Sequence, residues 1–235
     1  MIDKDFCLSS YIAFRYIWKD GADFFPGFHH SCYQAIPADQ RIPVHTSADI
    51  DREIQKQIDV LYEKYDNIGI LLSGGMDSAN LAAYLKPGSH AYTFISDSGV
   101  FDDDVKRAKE YCRRLGLQHH LVSIDFDDYR KYAPIVMAAK DAPVHSIEPQ
   151  IYKAAVTAKK DGVQMMLVGE SADLIFGGMD KLITPLWDFD SFARRYTFLE
   201  PDLVLTHPVS QMELYERYRT ADGGIDYMRF MDEVF

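Results

Sequence analysis

Apolar and polar positions alternate along this chain in blocks that switch between helical and strand periods. Ile50, Ile54, Ile58 and Leu61 recur at helical spacing, and Ser47 ahead of them is the expected N-cap of a helix over about residues 49–65. Ile68-Gly69-Ile70-Leu71-Leu72 is a short apolar run between turn residues, the pattern of a strand buried on both faces. Ser73-Gly74-Gly75 turns the chain, and Asp77 to Leu85 reads as a helix stopped by Pro87-Gly88. Ala91 to Ser96 is strand-like again, and Val105 to Leu115 is a helix with Gly116 as its C-cap. His120 to Ile124 makes a third strand. Tyr129 to Lys140 is a helix in which Pro134 either causes a kink or marks the true start. Pro149 to Lys160 is another, closed by Gly162, and Met165 to Val168 is a fourth strand. Strands alternating with helices of roughly 10–15 residues mean βαβ units. The expected fold class is therefore α/β, a doubly wound, mostly parallel sheet with right-handed crossovers.

Residues 1–47 break the pattern. They are aromatic-rich (Tyr11, Phe14, Tyr16, Trp18, Phe24, Phe25, Phe28) and interrupted by Gly21, Pro26, Gly27, Pro37 and Pro43. Irregular structure with one or two short strands or helical turns is expected here, covering one side of the sheet. The implied organisation is an N-terminal extension or connector over 1–48 and one domain over 49–235.

Composition narrows the function classes. The 235 residues carry a formal net charge of −11 and 47% are hydrophobic, an ordinary globular mixture. No apolar run approaches the roughly 18 residues of a membrane span, and Asp3 and Asp5 do not fit the basic opening of a secretory signal. The acidic balance argues against nucleic acid as a partner, because displacing counterions takes clustered Lys and Arg. Cys7, Cys32 and Cys112 are too sparse for a disulfide framework or a CxxC pair, so a reduced, cytoplasmic protein is expected. His29-His30 and His119-His120 lack further ligands at workable spacing; His120 is expected to end a strand with a hydrogen bond. Asp102-Asp103-Asp104 reads as the capped, solvated start of a helix, and Arg194-Arg195-Tyr196 as an exposed helix face.

Two segments carry chemistry. Ser73-Gly74-Gly75-Met76-Asp77-Ser78 directly follows the first strand and opens a helix. Paired glycines let backbone approach a ligand closely, and free amides at a helix start favour phosphate oxygens. No Lys follows the glycines, so this is not a Walker A loop. Asp77 cannot face phosphate without repulsion unless a cation such as Mg²⁺ bridges the two. The second segment, Gly169-Glu170-Ser171-Ala172-Asp173-Leu174-Ile175-Phe176-Gly177-Gly178, directly follows the fourth strand. Glu170 and Asp173 are three apart, so one helical turn puts both carboxylates on one face. Read alone, each segment is also compatible with an ordinary turn and a solvated helix start.

Together the segments, SGGMDS at 73–78 and GESADLIFGG at 169–178, resemble the PP-loop ATP-pyrophosphatase domain of the asparagine synthetase family. The resemblance covers about residues 50–182, including the helix around Asp104 to Gly116 and the Asp141 to Pro149 loop. It implies an adenine nucleotide alpha hydrolase-like fold and an ATP-dependent ligase. Such an enzyme adenylates a small-molecule carboxylate, releases pyrophosphate and transfers ammonia or an amine. By position, Ser73, Gly74, Gly75, Asp77 and Ser78 would hold the pyrophosphate, while Leu71, Ile95, Val168 and Gly169 would line the adenine and ribose site. Asp77 and Asp173 would ligate Mg²⁺, with Glu170 at the acyl-transfer site. The cofactors implied are ATP and Mg²⁺.

The chain also departs from that family. The glutaminase domain and its N-terminal nucleophilic Cys have no counterpart (position 2 is Ile2, and Cys7 sits in no nucleophile context), so free ammonia, another amine or a separate glutaminase subunit is the expected nitrogen source. Leu174 replaces the usual Glu of the second motif and Met179 an aromatic, which argues against ordinary aspartate as substrate. The usual C-terminal Lys has no obvious equivalent, and Lys181 is the candidate substitute. Self-association as a homo-oligomer stays open. Two rival classes remain: a non-catalytic, regulatory nucleotide-binding subunit, and a different PP-loop adenylating enzyme.

Overall fold

The computed structural model describes residues 2–27, 37–140, 142–170, 172 and 186–234. The chain divides into two compact units, one of Ile36–Ala139 and Val144–Ser171, the other of Met1–Ala35, Lys140–Pro143 and Ala172–Phe235.

The first unit is built on four strands, β1 (Ile68–Leu71), β2 (His90–Ile95), β3 (Gln118–Ser123) and β4 (Met165–Val168), all parallel in the order β3-β2-β1-β4. Leu71 pairs with Tyr92 on one side and Val168 on the other. The chain winds outward from β1 through β2 to β3, then returns to place β4 on β1's other flank. The β1–β4 boundary is thus the point where winding reverses, and clefts at the carboxyl ends of such sheets open there.

Period-2 alternation sends neighbouring strand residues to opposite faces, and both faces are covered. Ile68, Ile70, Ala91, Met165 and Leu167 pack against α2 (Ser47–Lys64), α3 (Met76–Ala82) and α4 (Asp102–Leu115) through Leu61, Ala82 and Ala108. On the other face, Leu71, Tyr92, Phe94 and Met166 meet Tyr129 of α5 (Phe126–Lys140) and Ile151, Ala154 and Ala158 of α6 (Glu148–Lys160). Fully burying each large apolar side chain is worth about 1.5–3 kcal/mol, so the two clusters supply much of what holds the sheet.

Helix ends differ from the sequence expectation in instructive ways. The N-cap of α2 is Thr46, not Ser47: Thr46 accepts from the Asp49 amide while Asp49 accepts from the Thr46 amide, a reciprocal capping box that Ser47 is one residue too late to form. The Asp102–Asp104 run does open α4, but its N-cap is Phe101 without a side-chain hydrogen bond, so the acids favour the helix through its dipole and through the i,i+3 pairs of Asp103 with Lys106 and Asp104 with Arg107. Pro134 lies inside α5 and does not start it; the helix begins at Phe126, where Asp125 and Asp128 accept each other's amides. Gly116 caps α4 at φ +69° as expected.

The second unit corrects the reading of the N-terminal stretch. Residues Lys4–Phe14 form a regular helix, α1, capped by Asp3 through the Phe6 amide. Its Phe14 packs with α7 (Phe189–Tyr196), α8 (Met212–Glu216) and α9 (Tyr227–Val234), and its Phe6 with Ile17, Ala22 and Phe24. Phe14 meets Tyr215 edge-on at 5.8 Å, Phe192 meets Phe230 at 5.2 Å, and Tyr215 stacks on Phe230 at 5.7 Å. Such ring pairs add about 0.5–1.5 kcal/mol beyond area burial. The Val209 amide donates to Ser9 Oγ, and Trp18 Nε1 donates to Gln211 Oε1 at 2.7 Å. Cys7 is fully buried here, and burial pushes its thiol up to about 11, so it is an inert core residue. Arg194 and Arg195 are exposed on α7 as expected. No described helix is long and apolar enough to cross a membrane.

Candidate functional site

The loop after β1 is held by backbone approach and by its own serines. Gly74 adopts φ +75°, and a Cβ there would stand 2.5 Å from the carbonyl oxygen of Asp104 and 2.9 Å from its Cα. Only glycine fits, because backbone cannot give way as a flexible side chain could. Arg107, one turn further along α4, donates from Nε to the Gly74 carbonyl at 3.0 Å and pairs with Asp104 at 2.5 Å. Ser78 is buried; its Oγ accepts from the Ser73 amide at 3.2 Å and lies 3.0 Å from Ser73 Oγ and 3.3 Å from the Gly75 carbonyl. Bonded to the Ser73 amide and the Gly75 carbonyl, Ser78 braces the loop, while Ser73 is exposed.

The segment after β4 meets this loop at Gly169. A Cβ on Gly169 would lie 2.7 Å from the Ser78 nitrogen and 2.8 Å from its Cα. The two glycine-bearing segments thus touch backbone to backbone at the switch point. Between them opens a cavity of about 280 Å³. Of the residues the sequence singled out, Leu71, Ser73, Ser78, Val168, Gly169 and Glu170 line it. Gly74, Gly75 and Asp77 belong to the loop without lining the cavity. Ile95 is not in the lining either; Phe94, on the same strand face as Tyr92, is. Asp173 and Lys181, with Leu174 and Met179, lie outside the described residues.

Several lining residues carried no motif. Tyr92, Phe94 and Phe101 form one apolar wall, and Ile147, Gln150 and Ile151 bring the start of α6 to another, where Gln150 donates to the Tyr129 hydroxyl. Their only sequence signal was position, on or after the second strand and in or just after the Asp141–Pro149 loop.

Two carboxylates, Asp104 and Glu170, line the cavity, and no Lys or Arg does among the described residues. Gly75, the N-cap of α3, has no side chain to cap the helix, so the first amides of α3 have no partner within the helix or from its cap. Amides at one rim and carboxylate oxygens nearby suit an anion held through a hard cation. The oxygen donors that line the cavity, Asp104 and Glu170, are of the kind that Mg²⁺ takes; Asp77, half-buried in the first turn of α3, is not in the lining.

Residues 50–228 match the family model described as asparagine synthase. A protein of Methanocaldococcus jannaschii provisionally named asparagine synthetase (glutamine-hydrolyzing) 1 is 28% identical over 134 residues, 55% of this chain and 24% of that protein. Asparagine synthetase (glutamine-hydrolyzing) 2 of Bacillus subtilis is 27% identical over 128 residues, 50% of this chain and 17% of that protein. The matches thus span a quarter or less of these relatives' own length. Among solved structures, NMN synthetase from Francisella tularensis aligns over 81% of this chain and 87% of its own, at 15% identity and a TM-score of 0.37.

Proposed function

The chain belongs to the asparagine synthase family, and on that premise we propose that it is an ATP-dependent ligase that converts a small-molecule carboxylate to its amide. The single observation that carries the reading is the backbone contact of Gly169 with Ser78, which brings Gly169 and Glu170, the start of the second motif, to the cavity that Ser73 and Ser78 of the first motif line. In the proposed cycle the carboxylate attacks the α-phosphorus of ATP, the α–β anhydride bond breaks, and pyrophosphate leaves. Ammonia or an amine then attacks the acyl carbon, the acyl–phosphate bond breaks, AMP departs, and one proton is released.

Each step assigns work to residues of this chain. The 73–78 loop holds the departing pyrophosphate with backbone amides, whose worth grows as charge develops on the leaving oxygens. Leu71, Phe94 and Val168 offer the apolar wall for the base. Glu170, in the cavity lining, takes the proton of the attacking nitrogen, a role typically worth about 10²–10⁴-fold in rate. Mg²⁺, held by Asp77 and, by the family resemblance, Asp173, would neutralise phosphate charge when bound. The nitrogen donor is free ammonia, an amine, or ammonia delivered by a separate glutaminase.

The test is pyrophosphate release from ATP and Mg²⁺ across a panel of carboxylates with and without ammonium, with carboxylate-¹⁸O followed into AMP. Pyrophosphate formed only when both acceptor and amine are present, with label in AMP, is the expected result. Nucleotide binding without turnover on any acceptor would instead mark the chain as a regulatory nucleotide-binding subunit.

A further inference from the structure

At the opposite edge of the sheet, His90, His120 and Asp161 form a second constellation that the proposed reaction does not use. His90 opens β2, and His120 of β3 pairs in register with Tyr92, so the two imidazoles are diagonal neighbours on one face. Their rings stack at 4.9 Å with 17° between planes, and His90 Nδ1 lies 2.9 Å from His120 Nε2. Asp161 ends α6 on the same face, its Oδ2 3.8 Å from His120 Nδ1. One donor atom from each of the three falls within 4.8 Å of the others. We propose that these residues, none of which lines the nucleotide cavity, bind a divalent transition metal ion, zinc or a near relative in ligand preference.

Four observations support this. Two imidazole nitrogens and one carboxylate oxygen form a mixed N₂O set that suits zinc and leaves a fourth position for water. Two histidine nitrogens facing each other at 2.9 Å must share one proton or one cation. A tetrahedral ion with bonds of about 2.0–2.1 Å holds such a pair about 3.3 Å apart, only a few tenths of an ångström wider. Asp161 is itself held by the Tyr92 hydroxyl, which donates to Oδ2 at 2.9 Å, the outer-sphere support that fixes a ligating carboxylate. The carboxyl end of α6 adds the negative end of a helix dipole, which favours a cation.

None of His90, His120 and Asp161 lines the nucleotide cavity, but Tyr92 adjoins both places: its ring lines the cavity and lies 4.9 Å from the His120 ring, and its hydroxyl holds Asp161. Both imidazoles are half-buried on paired strands, so little ordering is required on binding.

The experiment is titration of the full chain with Co²⁺ and Zn²⁺ in the absence of nucleotide, read by visible absorption and by competition with a chromogenic chelator. One equivalent of Co²⁺ with tetrahedral-type bands is expected. His90→Ala combined with His120→Ala should weaken Zn²⁺ binding by at least about 100-fold, and Tyr92→Phe by about tenfold, as for loss of an outer-sphere partner. Affinity unchanged in the double variant overturns the proposal and leaves a hydrogen-bonded His-His-Asp cluster. X-ray absorption on the zinc-loaded wild-type chain decides the question without any variant: two imidazoles in the first shell support the site, and one or none sinks it.

Discussion

The backbone of Gly169, one residue past β4, approaches Ser78 of α3 so closely that a Cβ would stand 2.7 Å from the Ser78 nitrogen. Gly169→Ala forces β4 and α3 apart, because neither neighbour is a side chain that can swing away. Overpacking of this kind costs about 1–3 kcal/mol. Thermal unfolding should show that loss, and calorimetric titration should show nucleotide affinity reduced at least tenfold.

Gly74→Ala separates backbone strain from steric exclusion. Gly88 has φ +91°, and a Cβ added there would meet nothing within 4 Å, whereas Gly74 has φ +75° and its Cβ would meet Asp104 at 2.5 Å. Alanine at position 88 should cost only the left-handed penalty, about 1–2 kcal/mol. Alanine at position 74 should cost more and also displace the loop from Arg107. Equal midpoints for the two variants in urea unfolding would contradict this account.

The two acids of the site should fail differently. Asp77→Asn should weaken Mg²⁺-dependent ATP binding, whereas Glu170→Gln should leave ATP binding intact and lower the rate of amide formation by about 100-fold or more. The readouts are nucleotide affinity with and without Mg²⁺, and the rate of pyrophosphate release at saturating ATP. Matching defects in both variants would remove the division of labour.

Asp128 of α5 and Lys153 of α6 supply a pH dependence. Lys153 Nζ donates to Asp128 Oδ2 at 2.6 Å, with Asp128 only 13% exposed. Burial alone would raise the Asp128 carboxyl, but the Lys153 hydrogen bond and charge and the Asp125 amide outweigh it and hold the carboxyl below its usual range. The folded value is depressed, so the stabilisation is present above the unfolded value near pH 4 and is lost as pH falls through the lower folded value. A charge-assisted hydrogen bond contributes about 1.5–3 kcal/mol. Lys153→Met should therefore unfold more readily at pH 7 and lose less stability than wild type between pH 5 and pH 2.

Much of the fold was legible in the chain because local pattern and tertiary role agree there. The apolar run at Ile68–Leu72 contains β1, a strand buried on both faces, and Gly116 closes α4 where the pattern stopped. The helix Lys4–Phe14 was hidden for a physical reason. Its buried face includes Ser9 and Ser10, whose hydroxyls bond backbone, so polar letters occupy positions where periodicity looks for apolar ones. The cap of α2 shifted by one residue because a capping box depends on the pair Thr46 and Asp49, not on a single good cap former.

From the sequence by itself came the alternation of strands and helices, the parallel sheet, and the two glycine segments, since each is set by spacing of a few residues. Tertiary structure alone decided which residues share a space: Tyr92, Phe94 and Ile151 at the cavity, the aromatic packing of α1 with the C-terminal helices, and the gathering of His90, His120 and Asp161. The groupings on the sheet depend on strand order and register and the aromatic one on how helix faces pair; burial of whole faces at once fixes both, and no local stretch of chain encodes them.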